Sequence, residues 1–225
     1  MAYELCASLA LNFKKDEKVK DDESYFDKTV PQVTVIIDDE KACTRFTALR
    51  IDNVTVGESP DWLKERLAAI GQRSINNIVD ITNYVQFSLN KPMHAYDARS
   101  IKGGLSARFA RASETLVTLD DKSLTLDEAT LVIADDEKVL GLAGIKGGKF
   151  SGIQADTTSI ILESANFEPV LIRKTAEKYG IRTDASKRFE NGIANNLVIE
   201  GLHMTANYIK EVCPEAVKGF VTDVY

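Results

Sequence analysis

The sequence predicts an α+β fold in which a packed, mainly antiparallel β-sheet region carries helices on one side. Residues 103–167 alternate short apolar or β-branched runs with Asp- and Gly-rich turn clusters. Apolar residues recur at helical spacing on both flanks of that region, over 60–70, 75–89, 169–179 and 194–212. The segments follow the order strands, helices, many strands, helices, and not the strict strand–helix alternation of a parallel sheet.

Taken in order, residues 3–13 (YELCASLALNF) are apolar and helix-compatible, with no cap before them. Residues 14–28 carry charges of both signs and few apolar groups, the composition of a linker or mobile surface loop. Gln32–Asp38 reads as a strand rich in β-branched residues. Cys43–Ile51 reads as a second strand, turned by Asp52-Asn53. Ser59-Pro60-Asp61 reads as a helix start, with cap, proline and acid in sequence. Trp62, Leu63, Leu67 and Ile70 give that helix one face, and Gly71 stops it. Ser74 can cap the next helix, striped by Ile75, Ile78, Val79, Val85 and Leu89. Its polar residues Asn76, Asn77, Asp80 and Asn83 either pin neighbouring loops or point into a site, and Asn77 and Asp80 stand out.

Pro92 forces an extended approach to His94. Strands follow near 105–110, 115–119, 123–126, 130–134, 139–142 and 158–164. Asp120-Asp121-Lys122 and Asp135-Asp136-Glu137 suit hairpin turns. Gly144, Gly147 and Gly148 form a loop where the backbone turns sharply or approaches something closely. No Walker lysine–serine pair or Rossmann context surrounds them, so nucleotide cradling is not implied. Ile160-Ile161-Leu162 is a buried run that abruptly acquires a carboxylate, Glu163. Pro169 opens a helix striped by Leu171, Ile172, Ala176 and Tyr179, and Gly180 closes it. Thr183 then reads as an N-cap, with Asp184 in the first turn. Ala194–Val212 is the last helix, Pro214 stops it, and a strand over 219–224 ends the chain.

At 225 residues with 44% hydrophobic content, the chain suits one large domain or two small ones with a real core. It carries no apolar run of membrane-spanning length and no signal pattern. Its three cysteines are far apart and form no metal or redox spacing, which fits a reducing, cytoplasmic setting. A net charge of −6 argues against a dedicated nucleic-acid binder. Local contact stays open: Arg173, Lys174, Lys178, Arg182, Lys187 and Arg188 form either a solvated helix face or a basic lip for a phosphate backbone.

Four ordered blocks carry a resemblance. The main one is Ile161-Leu162-Glu163-Ser164-Ala165 with Phe167, Pro169, Ile172, Arg173 and Ala176, then Gly180-Ile181-Arg182-Thr183-Asp184-Ala185-Ser186 with Arg188-Phe189-Glu190 and Gly192. Upstream stand Ile75–Tyr84 (INNIVDITNY), Lys91–Asp97 (KPMHAYD) and Leu142–Gly148 (LAGIKGG). Together, over roughly residues 38–200, they resemble the central editing domain of the bacterial phenylalanyl-tRNA synthetase beta chain. The resemblance implies a three-layer sandwich of packed, mainly antiparallel sheets with helices on one side. It implies that 1–37 is a helix remnant and charged linker of a neighbouring helical domain, and that 38–225 is the editing domain. It implies hydrolysis of the aminoacyl ester of mischarged tyrosyl-tRNA(Phe). The partners it implies are the acceptor end of tRNA(Phe) and the alpha subunit of an alpha2-beta2 enzyme. No cofactor or metal is expected in this stretch; ATP and Mg belong to the complete synthetase.

The resemblance also assigns residues. Glu163 would contact the tyrosine para-hydroxyl. Thr183 and small Ala185 would line the amino-acid pocket, and Gly147 its glycine loop. His94 and Asn77 are the catalytic candidates. Plainer roles stand beside each: an ion pair of Glu163 with Arg173, a hydrogen-bonded structural His94, and caps or turns at Asn77, Thr183 and Gly147. The chain departs from the family at Asn191, where an arginine is usual, and at Lys146, often apolar. No Ser-His-Asp order, zinc set or paired carboxylates offers another chemistry. An activated ester needs only positioned water. A hydrophobic pocket cannot reject an added hydroxyl by more than about a hundredfold, whereas a site that hydrogen-bonds it discriminates by roughly 10⁴. A structural or RNA-docking module, or a freestanding editor acting in trans, are the alternatives.

Overall fold

The computed structural model describes residues 6–12, 14 and 16–225. Two long strands organise it. β10 (Ser159–Phe167) pairs antiparallel with β2 (Cys43–Asp52) on one side and β3 (His94–Asp97) on the other. β11 (Val217–Lys218) and β12 (Thr222–Val224) add to the free edge of β2.

Successive side chains of a strand face opposite sides of the sheet, and β10 separates two cores on that basis. Ile160 and Leu162 pack with Leu49 and Ile51 against α1 (Asp61–Ala69), α2 (Asn77–Leu89) and α5 (Asn196–Val212). Ile161, Ala165 and Phe167 face the other way, with Phe46, Ala48 and Tyr96. Their opposite wall is a second sheet in the order β1 (Val35–Ile37), β4 (Leu105–Phe109), β7 (Leu131–Ala134), β8 (Val139–Leu142), β9 (Lys146–Gly147). All its pairs are antiparallel except β1–β4. A separate hairpin joins β5 (Thr115–Val117) to β6 (Ser123–Thr125). The result is helices, sheet and sheet in three layers. The helices on one face are α1, α2 and α5. α3 (Pro169–Tyr179) and α4 (Asp184–Phe189) instead send Ile172, Ala176 and Phe189 into the core between the sheets.

Local chemistry sets the ends of these elements. α3 starts where the Glu168 carboxylate accepts from the Leu171 N–H and Pro169 takes the first position; it ends at Gly180, φ 64°. In α1, Leu63 and Leu67 are fully buried, each contributing about 1.5–3 kcal/mol. The expected serine caps are not used. α1 follows Pro60 without a side-chain cap, and Asn76 caps α2 by accepting from Val79 N–H at 2.9 Å. Ser59 and Ser74 both donate instead to Asp80, which lies fully buried. Ile70 and Ile75 are exposed and belong to neither helix stripe.

Of the helix expected over 3–13, residues 6–8 are helical, and 3–5 and 13 lie outside the described residues. The charged segment is not loose from Asp16 onward. Val19, Tyr25 and Val30 are buried, and the Tyr25 hydroxyl donates to Asn207 of α5 at 3.1 Å. β1 also falls within residues 1–37, so the packed unit takes in residues well before 38. Among the described residues, no helix is long and apolar enough to cross a membrane.

Candidate functional site

Strand register assembles the site. His94 stands opposite Glu163 and Tyr96 opposite Ile161 in the β3–β10 ladder. Ala48 stands opposite Glu163 on β2, a small neighbour that leaves the carboxylate room. A cavity of about 90 Å³ opens here, lined by Glu163, Ala165 and Phe167 of β10, His94 and Tyr96 of β3, Lys146 and Gly147 of β9, and Ala185 and Phe189 of α4. That is room for more than one water. Four residues expected in a site, Glu163, His94, Gly147 and Ala185, therefore share one cavity.

Glu163 is 7% exposed, and its Oε2 accepts the Tyr96 hydroxyl. Its partner is Tyr96 rather than Arg173. Burial pushes the Glu163 carboxyl up to about 7, opposed by the Tyr96 hydrogen bond and the Lys91 charge. Burial, together with the adjacent Glu163 charge, drives the Tyr96 phenol far above its ordinary value, so it remains a donor. The His94 ring meets Tyr96 edge-on, with centroids 4.4 Å apart. Its Nε2 is buried and, among the described residues, has no hydrogen-bond partner, and burial lowers its titration to about 4. The imidazole is therefore neutral near pH 7.

Gly147 closes over that ring. A Cβ added there would lie 2.8 Å from His94 Cε1 and 3.2 Å from Nε2. Thr183 stands one step back from the cavity. Its hydroxyl donates to the carbonyl of Ile145, a cavity residue, at 2.8 Å and caps α4 by accepting from Ser186 N–H at 3.1 Å. The Ser186 hydroxyl completes the capping box, accepting from Thr183 N–H at 2.9 Å. Thr183 thus fixes the helix turn that presents Ala185.

Asn77 is not brought to the cavity. It lies in the helix layer across the sheet, where its amide donates to Thr55 O at 2.9 Å and its oxygen accepts from Gly57 N–H at 3.0 Å. Those contacts match loop pinning, not the catalytic role expected of it. The basic segment is largely neutralised. Lys178 pairs with Asp127, Arg182 with Glu190 at 2.6 Å, and Lys187 with Asp184 at 3.7 Å. Arg173 and Lys174 remain exposed. Lys146 reaches Asp120 at 3.5 Å, and Asn191 donates to Lys187 O at 2.7 Å, so neither departure disturbs the cavity carboxylate.

Sequence reasoning missed Tyr96, whose only local signal is its place two residues from His94 on a strand, hence on the same face. It also missed Lys91, Phe167 and Phe189, which nothing local marks.

A model of the B3/4 domain matches residues 42–214. The chain is 44% identical over 192 residues to the phenylalanine–tRNA ligase beta subunit of Protochlamydia amoebophila, covering 85% of this chain and 24% of that protein. It is 43% identical over 215 residues to the corresponding subunit of Solibacter usitatus, covering 95% of this chain and 27% of that protein. The chain thus spans about a quarter of the length of these relatives. A crystal structure of an N-terminal fragment of the phenylalanyl-tRNA synthetase beta-subunit from Pyrococcus horikoshii shares the fold, with a TM-score of 0.58 at 13% identity over 89% of this chain and 56% of that chain. By sequence over most of its length, the chain belongs to the B3/4 domain family.

Proposed function

We propose that the chain is the editing domain of a phenylalanyl-tRNA synthetase beta subunit, hydrolysing the aminoacyl ester of tyrosyl-tRNA(Phe). The observation that carries this reading is a carboxylate, Glu163, buried in a side-chain-sized cavity with one oxygen held by Tyr96. Among the described residues, its other oxygen accepts no hydrogen bond. A tyrosine ring entering past Ala185 and Phe189 offers a phenol to that oxygen. Phenylalanine offers only a C–H and leaves the buried acceptor unpaired. A hydrogen bond to a charged group is worth about 1.5–3 kcal/mol, or roughly 10- to 100-fold. The half-buried His94 ring, which lines the cavity and is neutral at pH 7, is the group that orients water toward the ester. Asn77, bonded into the helix layer, takes no part.

Within this reading the acceptor end of tRNA(Phe) is the macromolecular substrate. The alpha subunit is the partner in the complete cytoplasmic enzyme, which alone uses ATP and Mg. The test is release of tyrosine from tyrosyl-tRNA(Phe) by the chain, compared with release of phenylalanine from phenylalanyl-tRNA(Phe). Tyrosine should be released faster, and Glu163→Ala should remove the preference. A preference indifferent to Glu163→Ala would place the discrimination outside Glu163, equal rates for both esters would remove the tyrosine specificity, and no release of either amino acid would leave a structural or RNA-docking module.

A further inference from the structure

Lys91 immediately precedes Pro92 and β3 and is fully buried. Its stem lies against Gly201 of α5, where an added Cβ would meet Lys91 Cγ at 2.9 Å. Its ammonium donates to the Ala165 carbonyl and, at 3.4 Å, to the Pro92 carbonyl. It lies 4.8 Å from the centre of the Phe189 ring. Ala165, Pro92 and Phe189 all line the cavity, so the ammonium stands directly behind its wall. Among the described residues, Lys91 makes no direct ion pair. A buried ammonium is costly unless acceptors or an anion compensate it. Two carbonyls and a ring face compensate in part. The anion within reach is Glu163, two residues before Ala165 on the same face of β10, about 7 Å along the strand. The titratable groups facing Lys91 are Glu163 on β10 and Cys43 on β2. His94 and Tyr96 on β3 lie beyond Glu163.

We propose that Lys91 is a positioning residue for the cavity: its ammonium favours the ionised, hydroxyl-accepting form of Glu163, while its hydrogen bonds to the Ala165 and Pro92 carbonyls and its contact with the Phe189 ring brace the cavity wall. Two opposing effects meet at each group. Burial raises Glu163 and the Lys91 charge lowers it; burial lowers Lys91 and the Glu163 charge raises it. Without Lys91, burial alone would hand Glu163 a proton and turn part of the acceptor into a donor. The inference rests on the editing reading only for the identity of the hydroxyl.

The experiment is an NMR titration of the chain carrying ¹³C-labelled glutamate and ¹⁵N-labelled lysine, between about pH 4 and pH 10. In the wild type, the Lys91 ammonium and the Glu163 carboxylate should coexist, each titration perturbing the other's signal. Lys91→Met and Lys91→Gln should each raise the Glu163 midpoint by about one pH unit. Lys91→Gln keeps a donor for Ala165, so an equal shift in both variants assigns the effect to charge. An unmoved midpoint in a folded variant overturns the proposal. So does a neutral Lys91 amine beside an ionised Glu163 in the wild type, a result that needs no variant to fold. Lys91→Gln should also lower the tyrosine preference about fivefold at pH 7, as a one-unit rise from a midpoint of about 7 cuts the ionised fraction, and recover it above the new midpoint. A purely structural lysine would lower the melting temperature without that recovery. A moved midpoint with no tyrosine release by the wild type upholds the charge relation and removes the editing reading.

Discussion

Gly147 and His94 are packed so closely that no side chain fits between them: a Cβ at 147 would fall 2.8 Å from the imidazole Cε1. The glycine is required by this approach rather than by its backbone, since its φ is not among the positive values. The glycine loop and the histidine strand therefore act as two jaws of one cavity.

Gly147→Ala is expected to push the imidazole toward Tyr96 and narrow the cavity. Overpacking of this kind costs about 1–3 kcal/mol. Thermal melting should register that loss, and tyrosine release from tyrosyl-tRNA(Phe) should fall at least tenfold, as near-attack geometry is sensitive to small displacements. Unchanged release alongside a lowered melting temperature would remove Gly147 from the site.

Ala185→Trp tests the opposite wall. Ala185 lies half-buried on α4, facing the cavity with Phe189. An indole there should occupy the ring space and abolish tyrosine release, while stability stays within about 1–3 kcal/mol of the wild type. Normal clearance of tyrosyl-tRNA(Phe) by the parent subunit carrying this variant would show that the ring binds elsewhere.

Glu163→Ala should bring tyrosine release down to the phenylalanine rate, a roughly 10- to 100-fold loss of discrimination. Glu163→Gln should keep part of it, because the amide oxygen still accepts. The pH dependence of stability provides a separate check. Folding raises the Glu163 carboxyl from 4.5 to about 7, so its contribution is full below about 4.5 and is lost as pH climbs toward 7. His94 has the opposite sign: lowered from 6.5 to about 4, it contributes above 6.5 and loses that as pH falls toward 4. Comparing wild type with Glu163→Gln cancels the histidine. The variant should gain melting temperature relative to wild type as pH rises through that window, and a constant difference would contradict the burial of an ionisable Glu163.

Asn77→Ala should affect stability alone. It removes one donor to Thr55 O and one acceptor for Gly57 N–H, two partly buried hydrogen bonds worth about 0.5–1.5 kcal/mol each. Denaturant unfolding measures the loss. The ratio of tyrosine to phenylalanine release should be that of the wild type, and a shifted ratio would return Asn77 to the site.

Much of this was legible where the determinant is local. Pro169 and Gly180 bound α3 because one lacks an N–H and the other adopts φ 64°. Thr183 caps α4 because its hydroxyl meets an N–H three residues on. Glu163 announced itself as a carboxylate in an apolar run. What escaped depended on distant partners. Ser59 and Ser74 carry the marks of caps, but Asp80 captures both hydroxyls. β3 and β9 are short strands that exist only because β10 and β8 lie beside them. Lys91 reads as a surface residue until Gly201, far along the chain, makes room for its stem.

The alternation along β10 has a further consequence for how such a chain can change over time. Leu162 belongs to the helix layer, and Glu163, its neighbour, to the cavity. Deleting or inserting a single residue anywhere between Ile160 and Ala165 would swap the two sets, driving a carboxylate into the helix core and a leucine into the cavity. Substitutions can therefore be explored one at a time on either face, but length within this strand is frozen. Insertions and deletions should accumulate instead in exposed segments such as residues 136–138, between β7 and β8.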